Sequence, residues 1–97
     1  MATQFGDRLR QLREQQNLLL RQVAPKLEMD TPLLSKIERG ERIAKKELVG
    51  KLAEILKADK EELLTLWLAD QVYNVIKDED HADEALKSVS KKIKKTK

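Results

Sequence analysis

The sequence predicts an all-α fold, five helices in one domain and a sixth beyond it, on three observations. Apolar residues recur three and four positions apart through every long segment. No stretch alternates apolar with polar residues as a half-buried strand does. Residues that start and stop helices fall between the apolar stripes at the expected places.

Each element follows from its own residues. Phe5, Leu9 and Leu12 mark one face of a first helix, with Thr3 as its cap and Asn17 as its stop. Val23, Ala24 and Leu27 sit at helical spacing in a short second helix, and a turn with one apolar residue, Met29, follows. Asp30 can accept hydrogen bonds from the orphan amides of a third helix, and Pro32 in its first turn loses no intrahelical bond. Leu34 and Ile37 share one face of that helix, and Gly40 ends it. Arg42 to Lys46 form a basic loop. Leu48, Val49, Leu52, Ala53, Ile55 and Leu56 then define a fourth helix. Asp59 followed by Glu62 starts a fifth, running to about Ile76. Ala82, Leu86, Val89 and Ile93 form a narrow stripe on a sixth.

Composition narrows the function classes. A chain of 97 residues holds one small domain and an extension, here divided as residues 1–69 and 70–97. With no cysteine there is neither a disulfide framework nor a thiolate metal site. The longest apolar runs are too short to span a membrane or to form a signal peptide, so a cytoplasmic protein is expected. His81 is the only histidine, Ser35, Ser88 and Ser90 lack the context of a nucleophile, and three glycines make no phosphate loop. The carboxylates at 78–84 lack the pattern of a calcium loop. The expectation is no enzyme, no metal, no cofactor and no evident small-molecule effector.

Charge points to DNA. The net charge is +3, but residues 1–46 carry ten Lys or Arg against six acids, while residues 47–77 carry four against six. The half that holds the second and third helices is therefore the basic half, as phosphate neutralisation requires. Singly, Arg8, Arg10 and Arg21 also read as ordinary solvated side chains.

The residues from Phe5 to Leu64 resemble the lambda-repressor-like, Cro-type helix-turn-helix family. The resemblance is carried by Leu-Arg-Gln-Leu-Arg-Glu at 9–14, Leu18, Val23-Ala24, Leu34-Ser35-Lys36-Ile37-Glu38-Arg39-Gly40 and Leu52-Ala53. It implies a structural ion pair between Arg13 and Glu38. It also implies a third helix that enters the major groove, with Thr31, Leu33, Ser35 and Lys36 nearest the bases and Arg21, Arg39, Arg42, Lys45 and Lys46 near phosphates. Leu19 and Leu20 depart from the family, which carries a Ser or Thr cap and a phosphate-touching Gln there. Pro25 falls inside the second helix, where it costs on the order of 3 kcal/mol unless the helix is distorted. Glu28 stands where Gly is usual, so a left-handed backbone there costs about 1 kcal/mol.

The C-terminal part carries surplus apolar surface. Leu63, Leu64, Leu66, Trp67, Leu68, Val72, Tyr73, Val75 and Ile76 spread around the fifth helix, and a second apolar stripe must be buried somewhere. One reading gives Leu66, Trp67, Tyr73, Leu86, Val89 and Ile93 to a dimer interface; the other folds the last helix back over its own chain. Residues 78–84 hold five acids and residues 87–97 six lysines, which complements the helix dipole, and Lys94 to Lys97 are expected to fray. The functional expectation is a homodimeric, sequence-specific transcriptional regulator on double-stranded DNA, acting as a repressor at an inverted repeat. The rival is a protein-interaction module, antitoxin-like or an adaptor, in which the apolar Thr31, Leu33 and Leu34 dock a partner on the same scaffold.

Overall fold

A computed structural model describes residues 2–96. Among them six α-helices follow one another: α1 (Gln4–Gln15), α2 (Leu20–Val23), α3 (Thr31–Glu38), α4 (Lys46–Ile55), α5 (Lys60–Ile76) and α6 (Ala82–Thr96), with a 3-10 helix at Ala24–Leu27 directly after α2. The described residues contain no strand.

Local chemistry sets the ends. Thr3 Oγ1 accepts from the Gly6 amide at 2.9 Å, Asp30 Oδ1 from the Leu33 amide at 2.8 Å, and Asp59 Oδ1 from the Glu61 amide at 3.0 Å. Asn17 (φ 57°) and Gly40 (φ 77°) take the left-handed backbone that terminates α1 and α3. Pro25 has no amide to donate back to Arg21. The helix therefore stops after one α turn and tightens into the 3-10 segment, which is the distortion its position requires.

The core gathers the inner faces of α1 to α5: Phe5, Leu9 and Leu12, then Val23, Ala24 and Leu27, then Leu34 and Ile37, then Val49, Leu52, Ala53 and Leu56, and Leu63. α6 contributes no buried residue. The expected boundary at residues 69 and 70 falls inside α5, which runs unbroken to Ile76 because nothing in 66–73 interrupts its helical bonding. α6 continues to Thr96, whose hydroxyl donates to the Lys92 carbonyl at 2.8 Å; Lys97 lies outside the described residues.

Four long-range ties fix the helices against one another. Arg13 Nε and Nη2 donate to Glu38 at 2.8 and 3.0 Å, and Nη1 donates to the Leu18 carbonyl at 2.8 Å, so one guanidinium joins α1, α3 and the loop before α2. Gly6 lets α1 lie directly against the end of α3, where a Cβ would collide with the carbonyl oxygens of Glu38 and Ile37. The Asp70 carboxylate accepts from the Gln4 and Phe5 amides at 3.0 and 2.9 Å, so a residue of α5 satisfies the exposed start of α1. Trp67 Nε1 donates to the Ala44 carbonyl at 2.8 Å. Among the described residues no buried side-chain polar atom is left without a partner.

Two outcomes follow. Arg13→Ala and Glu38→Ala should each cost on the order of 3 kcal/mol, because each leaves the other charge desolvated. The double variant should lose clearly less than the sum, and strict additivity in urea melts would show that the pair carries no coupling. Asp70→Ala should cost about 1 to 2 kcal/mol through the two orphaned amides of α1. Hydrogen exchange at Gln4 and Phe5 should accelerate with it, and unchanged protection there would show that the cap is not functioning.

Candidate nucleic-acid interface

The recognition surface begins with a turn that the sequence makes expensive. Glu28 occupies the left-handed region (φ 55°, ψ 39°), the glycine position of the turn, and its amide donates to the carbonyls of Ala24 and Pro25. Its strain, about 1 kcal/mol relative to glycine, is carried by the packed helices on either side. At the start of α2, Leu19 offers no side-chain cap, but Gln22 Oε1 accepts from the Leu19 amide at 2.7 Å. Half of a capping box therefore survives without the Ser or Thr.

α3 turns three faces to three environments. Leu34, Ile37 and Glu38 are buried, whereas Pro32, Lys36 and Arg39 are exposed. Thr31, Leu33 and Ser35 are half-buried on the flanks. Leu33 is not an outward-facing residue as its place in the turn implied. It packs against the core and lines a cavity of about 310 Å³ with Leu27, Met29, Ile43 and Leu48. Lys36 is thus the one charged donor on the outer face within α3, and Pro32, which reads in the sequence only as a helix starter, stands beside it.

Around that face lies a set of cations. Arg42, Lys45 and Lys46 are exposed in the loop after α3 and at the start of α4, and Arg21 is exposed on α2. Arg39 Nε lies 2.8 Å from Glu41, with both side chains about half exposed (54% and 48%). An exposed pair of this kind is worth about 0 to 1 kcal/mol, so the guanidinium exchanges readily for a phosphate. The loop is anchored from beneath: Ala44 is buried, and its carbonyl is the acceptor for Trp67. Arg8 and Arg10 also have acidic partners, Glu62 at 3.2 Å and Glu14 at 3.4 Å.

The guanidinium of the ion pair is held in its charged form. Hydrogen bonding to Glu38 raises the Arg13 pKa above its ordinary value, and the Glu38 charge adds to it, against the lowering that burial brings.

The residues assigned to an interface between copies divide in two. Leu66 and Trp67 are half-buried against the core of their own chain, with the indole bonded to the loop after α3. That bond gives Trp67 an intramolecular role. Tyr73, Leu86, Val89 and Ile93 are exposed, and Leu68, Val72 and Val75 join them. Ile43, 63% exposed, is a further residue that sequence reasoning passed over, although a lone apolar side chain between Arg42 and Lys45 is itself a signal. No helix among the described residues is long and apolar enough to cross a membrane.

No curated protein and no solved structure matches the chain. A family model described as a helix-turn-helix domain matches residues 4–66, the span that contains the α1–α3 anchor, the strained turn and the basic loop. The chain belongs to the helix-turn-helix domain family, and its domain is that of a DNA-binding regulator.

Proposed function

We propose that the protein is a sequence-specific transcriptional repressor that binds an inverted repeat as a homodimer, with α3 in the major groove. The observation that carries this reading is a run of exposed cations through the end of the motif: Lys36 on α3, Arg39 at its end, and Arg42, Lys45 and Lys46 in the chain that follows. Lysine donates to the O6 and N7 acceptors of guanine, which assigns Lys36 to a base edge. Thr31 and Ser35, half-buried on the flanks of α3, are the further candidates for base contact. Leu33 offers at most an apolar edge to a thymine methyl. Arg21, Arg39, Arg42, Lys45 and Lys46 neutralise phosphate and set the register.

One recognition helix reads only a few base pairs. Useful specificity then needs two copies about 34 Å apart, one turn of DNA. The exposed apolar residues of α5 and α6 supply the surface for that association. Occlusion of a promoter is the simplest regulatory outcome for so small a regulator, acting in the cytoplasm where the DNA lies.

A protein-interaction role on the same scaffold has one observation in its favour, the exposed Ile43 at the rim of the cavity beside Leu33. The cations around it favour DNA. A gel shift against genomic fragments with competitor DNA separates the two: retention of a discrete fragment supports the regulator, and none retained at any salt supports the adaptor.

Within the regulator reading, Arg42→Ala should weaken cognate and random DNA alike and lower the salt slope by about one. Lys36→Ala should weaken cognate DNA more, by about 1 to 3 kcal/mol. Titrations of both variants at fixed salt check the assignment; an Arg42 variant that loses only cognate binding overturns it.

A further inference from the structure

We propose that α6 pairs antiparallel with α6 of a second copy of this chain, the acidic start of each helix lying beside the lysine-rich end of the other. The inference rests on the homodimer reading above and specifies how the two copies meet.

α6 leaves most of its apolar stripe uncovered. Leu86, Val89 and Ile93 are 41%, 53% and 49% exposed, and no residue of the helix is buried. With Ala82 they are spaced four, three and four apart, the spacing of a two-helix seam. An exposed stripe of this kind needs a partner.

Charge decides which partner. Residues 78–84 hold five acids and no base, and residues 87–97 hold six lysines and no acid. A parallel pair of such helices sets acids against acids and lysines against lysines. An antiparallel pair sets each block against its opposite within about 10 Å, inside the screening length at moderate salt. The apolar layers agree with the same arrangement. Reversing the helix about its midpoint puts Ala82 opposite the partner's Ile93 and Leu86 opposite the partner's Val89, a small residue against a large one and two branched residues together.

The chain's own α5 is the competing partner, and it lacks the matching charge. Of its acids, Glu62 is bound to Arg8 and Asp70 to the start of α1, which leaves Glu61 to face six lysines. The α5 surface beside Leu86 is instead an open apolar groove along Leu68, Ala69, Val72 and Ile76. It adjoins the stripe and enlarges the area that two copies bury together, which a stable dimer needs beyond one short helix pair.

The chain has no cysteine, so single introduced thiols report the arrangement directly. Ala82→Cys and Ile93→Cys variants are oxidised separately and mixed, beside sedimentation of the unaltered protein. The expected result is a dimer at tens of micromolar (about 10 to 50 µM) whose disulfide forms between unlike variants and not within either variant alone, because only opposed positions bring Cα atoms within about 7 Å. A second pair of proteins, one with Asp80→Lys, Asp83→Lys and Glu84→Lys and one with Lys91→Glu, Lys92→Glu and Lys95→Glu, should each dimerise at least about tenfold more weakly and recover affinity when mixed. A dimer that cross-links like with like, or not at all, overturns the antiparallel α6 pairing and leaves the homodimer intact. A monomer at those concentrations overturns the homodimer reading as well. If the charge variants fail to fold by circular dichroism, the cysteine pair alone decides.

Discussion

The guanidinium of Arg13 is the point through which the helices of the motif are positioned. Its paired hydrogen bonds to Glu38 fix the end of α3 against α1, and its third bond to the Leu18 carbonyl fixes the chain just before α2. The two helices of the motif therefore take their angle from a third helix that carries none of the proposed DNA contacts. Such a pair does not add much net stability, since both charges must leave water. What it supplies is direction: two parallel bonds tolerate little rotation, whereas an apolar contact of the same area tolerates sliding. Gly6 completes the constraint, because any side chain there would push α1 off the carbonyls of Ile37 and Glu38.

This anchoring explains how the motif survives a sequence that departs from the pattern it resembles. Pro25 shortens α2 to a single turn, Leu19 supplies no cap, and Glu28 sits in a left-handed conformation. Each departure costs about 1 to 3 kcal/mol in isolation. The 3-10 segment absorbs the proline, Gln22 recovers one of the orphan amides, and the buried Val23, Ala24 and Leu27 keep the short helix on the core.

What was legible in the sequence divides along chain distance. Thr3, Asp30 and Asp59 as caps, Asn17 and Gly40 as stops, and the core stripes of α1 and α4 depend on residues within one or two turns, and those were readable from spacing. Asp70 and Trp67 were not. Their partners lie 65 and 66 residues away at the start of α1 and 23 residues away at Ala44, and no periodicity encodes such contacts. Leu33 shows the intermediate case. Helical spacing placed it off the stripe of Leu34 and Ile37, but the neighbouring Met29, Ile43 and Leu48 come from other elements and draw it to the flank. The family resemblance supplied the one long-range pair that was anticipated, Arg13 with Glu38, because a motif carries tertiary information that local physics does not.

The same division separates the two halves of α5. Its first turns are committed inward: Leu63 is fully buried, and Leu66 and Trp67 lean on the core, the indole holding the loop that carries Arg42 and Lys45. Asp70 is the last residue of α5 tied to α1; beyond it Val72, Tyr73 and Val75 emerge apolar and exposed. The helix thus changes from inward-committed to outward-apolar along its length. The Trp67 bond to the Ala44 carbonyl ties the inward half of that helix to the loop after α3, so the loop and the exposed apolar half of α5 rest on one continuous helix.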